Sequence, residues 1–185
     1  MDKEQEAIRL QYEKHGARGY YERFGADYRN PHEEVIGEVL RAVVPVWSLD
    51  LTHVLDLACG SGEATLVLRS LGAQRVDGLD PFTHAAYLAR TGQAAETYDF
   101  AALAGGVLAG RRYSLIVCSF ALHLVEASRL PALAFQLAGL APHLLVLTPH
   151  KRPQLKAEWG WQLQREIIIE RVRARLYAGT LALPA

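Results

Sequence analysis

The chain has no excess of charge of either sign: 20 lysines and arginines face 20 aspartates and glutamates, and the pI is ≈ 7.1. A neutral total excludes the broad electrostatic footprint that DNA or RNA binding calls for, so no nucleic-acid partner is expected. Cysteine is nearly absent too. Cys59 and Cys118 form neither a secreted disulfide framework nor a Cys-x-x-Cys metal pair, which fits a reducing compartment. No apolar run approaches the about 18 residues of a membrane span. The N-terminus is charged from its second residue, so no signal peptide or membrane anchor is expected and the protein reads as cytoplasmic. Fixed-period repeats and low-complexity tracts are missing, apart from an Ala/Leu-rich stretch at 101–110. What is abundant is apolar: 50% of the 185 residues are hydrophobic, which excludes disorder as the main state and favours one globular domain. Such a domain buries roughly 70% of its unfolded surface, enough to fold without staples.

Charged residues alternating with Ile8, Leu10 and Tyr12 suit a short amphipathic helix over 2–15, interrupted afterwards by Gly16, Gly19 and Gly25. Asn30-Pro31-His32-Glu33 is a sharper start signal, with Asn at N-cap, Pro at the first helical position and Glu at the third. Val35, Ile36, Val39, Leu40, Val43 and Val44 then recur at helical spacing up to Pro45. Short apolar runs follow at 53–58, 75–80, 113–120 and 143–148, with helical patterns after Gly62, from Pro81 to Arg90 and over 127–138. A further short element is expected near 95–98. Strands alternating with helices in this way predict βαβ units in an α/β, Rossmann-like, doubly wound and mostly parallel sheet. Strict alternation over Arg171–Tyr177 predicts an antiparallel C-terminal edge strand whose row of Arg171, Arg173 and Arg175 is a solvated face. A homodimer is one way of covering that edge.

The chemistry concentrates in Val54-Leu55-Asp56-Leu57-Ala58-Cys59-Gly60-Ser61-Gly62 and in Asp80, 18 positions after Gly62. Glycines after one strand let a ligand approach the backbone, and a carboxylate closing the next strand can accept both hydroxyls of a ribose. This is the layout of an adenosine site. A dinucleotide turn would need a third glycine, where Thr65 stands, and Glu63 would set a negative charge where the pyrophosphate belongs.

On these residues the chain resembles the class I S-adenosylmethionine-dependent methyltransferases, most closely the small-molecule branch that includes quinone-biosynthesis enzymes. The resemblance covers roughly residues 30–150. It implies that Asp56, Ala58, Cys59, Gly60 and Gly62 form the first motif, with Ala58 in place of a glycine, a methyl tolerable there at negative φ. It implies that Asp80 with Pro81 holds the ribose and that Asp99 and Phe100 meet adenine, Asp99 being equally suited to a helix cap. Ser119, in Ser119-Phe120-Ala121-Leu122-His123, would face the transferred methyl, and His123 is the candidate general base, the alternative being a satisfied or solvent-facing histidine. Tyr20, Tyr21, Tyr28, Arg29 and His32 are dense enough for a lid over the cofactor mouth. Thr148-Pro149-His150-Lys151 with Trp159 and Trp161 would make the opposite wall. The implied division is 1–45 helical cap, 46–150 cofactor core and 151–185 C-terminal strand region. The implied cofactor is S-adenosylmethionine, with S-adenosylhomocysteine as product, and the acceptor is a small molecule. The segment after 119 lacks the Asn/Asp-Pro-Pro-Tyr/Phe of amino-methylating enzymes and the Pro-Cys of cytosine C5 enzymes. No clustered acids suggest a metal. The other classes kept open are an NAD-dependent oxidoreductase and a non-catalytic S-adenosylmethionine-binding module.

Overall fold

The computed structural model describes residues 28–181. The lid residues Tyr20 and Tyr21, the helix at 2–15 and the three glycines at 16, 19 and 25 lie outside these. Helix α1 (Glu33–Val46) is followed by β1 (Val54–Leu57), α2 (Glu63–Ser70), β2 (Val76–Leu79), α3 (His84–Thr91) and α4 (Phe100–Ala104). Then come β3 (Leu115–Ser119), α5 (Leu130–Ala138), β4 (His143–Thr148), β5 (Trp161–Ile169) and β6 (Val172–Gly179). The six strands form one sheet in the order β2-β1-β3-β4-β6-β5. The first four are parallel, and β6 and β5 join antiparallel. This is the doubly wound arrangement with an antiparallel C-terminal edge that the sequence predicts.

Strands β1 and β3 are buried at every position, as continuous apolar runs covered on both faces must be. Ile36, Val39, Leu40 and Val43 of α1 pack with Ala64 and Leu68 of α2 against Val117, Leu145 and Ala174 on one face. Leu133, Ala134 and Leu137 of α5 pack with Leu55, Cys118, Val146 and Tyr177 on the other. The start of α1 falls later than the sequence suggests: His32, not Asn30, is the N-cap and makes no side-chain capping bond, Asn30 Oδ1 accepts from His32 N at 2.9 Å in the turn before it, and Glu33 is the first helical residue rather than the third. The element expected near 95–98 reduces to a single parallel bridge between Leu79 and Glu96.

The C-terminal hairpin corrects the reading of the arginine row. Strand β6 is not outermost, because β5 pairs along its far side. Arg175 is therefore 1% exposed, ion-paired with Glu166 and donating to the Pro153 and Lys151 carbonyls at 3.1 and 2.9 Å. Arg173 also pairs with Glu166, at 3.2 Å, leaving Arg171 as the member of the row that faces solvent. Strand β5 has no signature in the sequence because, past its buried Trp161, its side chains are largely exposed and carry no burial alternation. Trp161 is likewise no wall of a cleft. It is completely buried and donates from Nε1 to the Ala134 carbonyl at 2.8 Å, while Trp159 packs at the margin of the same core.

Candidate functional site

The carboxyl ends of β1, β2 and β3 lie side by side because these strands are adjacent and parallel, which is where open α/β sheets bind ligands. A cavity of ≈ 210 Å³ opens there. Its walls come from the turn after β1 (Ala58, Cys59, Gly60), the end of β2 with the start of the next turn (Leu79, Asp80, Pro81, Phe82), the segment Tyr98-Asp99-Phe100, and the segment after β3 (Ser119, Phe120, Ala121, Leu124). Tyr28, Asn30 and Glu63 complete it.

The β1–α2 turn is held by backbone geometry. Gly60 and Gly62 have φ of +57° and +94°. A Cβ on Gly60 would lie 2.7 Å from Glu63 Oε2 and 3.2 Å from Tyr28 Cε1, so glycine is needed both for conformation and for space. Ala58 differs from expectation: its φ is +57°, in the left-handed region, not negative. Such a conformation costs an L-residue roughly 1–2 kcal/mol. Ala58→Gly removes that strain but adds about 0.4–1 kcal/mol of unfolded-chain entropy, so a net gain of about 0.5–1 kcal/mol is expected. Urea denaturation measures it, and a less stable variant would show that the turn is unstrained at this position.

Asp80 is 8% exposed and divides its two oxygens as a cap and a ligand group would. Oδ1 accepts from the amides of Phe82 and Thr83 at 2.9 and 3.0 Å, ordering the turn into α3, while Oδ2 takes a long 3.3 Å bond from Gly60 N. Asp99 caps α4 by accepting from Ala102 N at 2.8 Å, with its side chain exposed at the cavity wall and Phe100 beside it. Phe120 has φ +54°, an outlier for a bulky residue, and stacks on His32 at a centroid distance of 4.8 Å.

Asp56 and Gly62 lie behind the cavity wall. Asp56 is fully buried, with Oδ2 accepting from Thr65 Oγ1 at 2.6 Å and Oδ1 without a hydrogen-bond partner among the described residues. Burial pushes its carboxyl up to about 7, and the nearby Glu63 and Asp80 charges add to this. Burial also pushes the Cys59 thiol far up, reinforced by the same carboxylates, so Cys59 is a packed thiol at the wall and no nucleophile. Cys59 and Cys118 are both free. His123 sits in a short turn between the lining residues Ala121 and Leu124, packed against the His150 ring at 4.4 Å, and is not itself among the lining side chains. Its Nδ1 is buried without a partner among the described residues. Burial, with His150 nearby, lowers its pKa to about 4, so it is neutral at physiological pH.

Three acids, Glu63, Asp80 and Asp99, and no lysine, arginine or histidine line the cavity among the described residues. Glu63 is 3% exposed and fills the anion position at the start of α2: its oxygens accept from Ser61 N and Asn30 N, both at 3.0 Å, and from Ser61 Oγ. The chain's own carboxylate thus stands where a dinucleotide's pyrophosphate would bind. No three side chains of metal-ligating type come together among the described residues. The wall residues Leu79, Phe82 and Leu124 carry no motif that singles them out in the sequence. Glu63 was readable there as an obstacle to phosphate but not as part of the wall.

The sequence pattern of a family described as a methyltransferase domain matches residues 16–180. An uncharacterized protein of Schizosaccharomyces pombe is 31% identical, over 85% of this chain and 86% of that protein. Among solved structures, the magnesium protoporphyrin IX methyltransferase of Synechocystis PCC 6803 with bound S-adenosylmethionine is similar at TM-score 0.61 and 19% identity, covering 94% of this chain and 96% of that one. A putative RNA methyltransferase of Pyrococcus horikoshii gives TM-score 0.61 at 14% identity, over 82% and 84% of the two chains. The mitomycin 7-O-methyltransferase MmcR gives TM-score 0.61 at 13% identity, over 80% of this chain and 54% of that one. At these identities the structures share the fold.

Proposed function

The chain belongs to the methyltransferase-domain family, the class I S-adenosylmethionine-dependent enzymes, and from that premise we propose that it methylates a small, uncharged or weakly polar acceptor. The observation that carries the reading is the charge of the cavity. Asp80 and Asp99 at its wall, with Glu63 balanced by Arg90 behind it and no cation among the described lining residues, suit a ligand bearing a sulfonium and an ammonium, and repel a pyrophosphate. This is also what disfavours the NAD-dependent alternative.

In this reading Asp80 accepts the ribose hydroxyls, Pro81, Phe82, Asp99 and Phe100 enclose the adenine, and the Ala58–Gly62 turn meets the methionine end. Ser119, Phe120, Leu124 and Tyr28 then border the acceptor. The bound cofactor supplies an already activated methyl, so the residues have mainly to hold the acceptor in line and exclude water, and alignment of this kind is worth several kcal/mol. His123 is the candidate for taking a proton from the acceptor: it is neutral at working pH and its ring lies next to the lining residues Ala121 and Leu124 rather than among them. The mitomycin and protoporphyrin enzymes are named for small-molecule acceptors, which supports the same choice here. A cytoplasmic, metal-free enzyme is part of the proposal. Among the described residues no helix is long and apolar enough to cross a membrane. So is the division into cap (1–45), core (46–150) and C-terminal region (151–185), with a homodimer covering the exposed Leu163, Ile167 and Ile168 of β5.

Calorimetric titration tests it: S-adenosylmethionine and S-adenosylhomocysteine are expected to bind and NAD not. Asp80→Ala is expected to weaken both by about 1–3 kcal/mol through lost charge-assisted hydrogen bonds. Binding of NAD in preference, or unchanged affinity in a folded Asp80→Ala protein, overturns the assignment. Tight cofactor binding with no turnover on any acceptor of a small-molecule panel would favour the non-catalytic module instead.

A further inference from the structure

Glu63 is a buried carboxylate, and a buried carboxylate needs a compensating charge. The cation beside it is Arg90, at the last turn of α3 and 19% exposed. Its Nη1 lies 3.5 Å from Glu63 Oε1 and donates to Ser61 Oγ at 3.3 Å, and its Nη2 is bonded to Glu33 in the first turn of α1. One guanidinium therefore ties together the start of α1, the end of α3 and the cofactor turn. Glu63 in turn takes hydrogen bonds from Ser61 N and Asn30 N, and its Oε2 is the atom that closes over Gly60.

We propose that Arg90 is a positioning residue for the cofactor site: by neutralising Glu63 from behind the cavity wall it fixes the Gly60–Gly62 turn and clasps Asn30 at the mouth. This rests on the cofactor reading above for its ligand but on the contacts just described for its geometry. Arg90 does not line the cavity and has no direct part in binding. Its removal leaves Glu63 with an uncompensated buried charge, which the carboxylate relieves by reorienting toward solvent, and that releases Ser61 N or Asn30 N. Arginine is suited to this because its planar fork serves two separated acceptors at fixed geometry, whereas a lysine ammonium is a compact point charge on a flexible stem.

The test compares wild type, Arg90→Lys, Arg90→Met, Glu63→Gln and the Arg90→Met/Glu63→Gln double variant in two ways. These are calorimetric affinity for S-adenosylhomocysteine and amide hydrogen exchange of Asn30 and Ser61 without ligand. Arg90→Met is expected to weaken S-adenosylhomocysteine at least tenfold and to speed exchange at both amides. Arg90→Lys should fall between it and wild type. The double variant should lose little more than Glu63→Gln alone, because the neutral amide no longer needs the cation. Affinity within twofold of wild type with unchanged exchange in Arg90→Met overturns the proposal, as do fully additive losses in the double variant. If Arg90→Met does not fold, Arg90→Lys decides: partial loss with faster exchange supports the role, and wild-type behaviour overturns it. A wild-type protein that fails to bind S-adenosylhomocysteine sinks the cofactor reading, while the ligand-free exchange still decides the role of Arg90.

Discussion

Gly60→Val is expected to abolish measurable binding of S-adenosylmethionine and S-adenosylhomocysteine while leaving a folded protein. Two independent penalties meet at this position. A β-branched residue at φ +57° is strained regardless of its surroundings, and a Cβ there sits 2.7 Å from Glu63 Oε2 and 3.2 Å from Tyr28 Cε1, inside the lining of the cavity itself. The first cost falls on the turn, which can relax by flipping away from the left-handed region. That same relaxation moves the Gly60 amide, which bonds Asp80 Oδ2, and the Gly60 carbonyl, which accepts from Thr83 Oγ1 at 2.7 Å, so the ribose carboxylate and the start of α3 are dragged with it. A loss of at least 100-fold, roughly 2.7 kcal/mol or more, is the expected outcome by calorimetry. The two core clusters on the sheet faces do not include the turn glycines, so circular dichroism should stay native and unfolding cooperative. A Gly60→Val protein that binds either ligand normally would place the cofactor turn elsewhere.

The parts of this molecule that were legible in the sequence are those whose burial is two-sided or whose backbone demands a particular residue. The runs ending at Leu57, Leu79 and Ser119 read as parallel strands because both their faces are covered, and they are found so within a residue or two. Asp80 reads as a dual cap and ligand group because its position after a strand and before Pro81 constrains both roles; the cap is seen at Oδ1, which accepts from Phe82 N and Thr83 N, while Oδ2 accepts a long bond from Gly60 N. Strand β5 was invisible for the opposite reason. Its exposed face mixes Gln162, Gln164 and Arg165 with Ile167 and Ile168, and a shift in pairing between Leu163 and Arg165 breaks what alternation there is. Without a visible β5 the row of arginines reads as solvent-facing, although a strand outside β6 buries Arg175. The left-handed φ of Phe120 has no signal in the sequence, whereas Ala58 stands where the resemblance has a glycine, and that glycine is the sign of the positive φ it adopts. The role of Glu63 depended on Arg90 and Asn30, 27 and 33 positions away, which only the packing of α1 and α3 brings together.

Asp56→Asn is expected to remove a contribution to stability that falls as pH rises, so that the difference between variant and wild type changes between pH about 4 and about 7. The wild-type carboxyl is fully buried, accepts one hydrogen bond from Thr65, and titrates near 7 in the folded state against an ordinary value of 3.8. In that window the folded chain keeps a proton that the unfolded chain has lost, so the contribution of Asp56 to stability falls as pH rises and levels off above about 7. A shift of this size corresponds to a difference on the order of a few kcal/mol. His32 and His123 oppose it. Burial holds both below 6.5, so the folded chain binds fewer protons than the unfolded one at these sites, and their contributions rise with pH over part of the same range. The wild-type curve alone mixes the signs, and the difference between wild type and Asp56→Asn isolates the carboxyl. Asparagine keeps an oxygen for the Thr65 hydroxyl and loses the titration, leaving only a constant cost for its buried amide group. A cation bound in the neighbouring cavity favours the ionised form of Asp56, so S-adenosylmethionine should bind more tightly as pH rises through 7 and release protons on binding. The uncharged sulfur of S-adenosylhomocysteine should do so less. Urea denaturation of both proteins from pH 5 to 8, with calorimetry in buffers of different ionisation enthalpy, measures each part. Parallel stability curves and equal proton release for the two ligands would show that Asp56 is already ionised in the folded protein, and that the cavity reaches its charge complementarity without it.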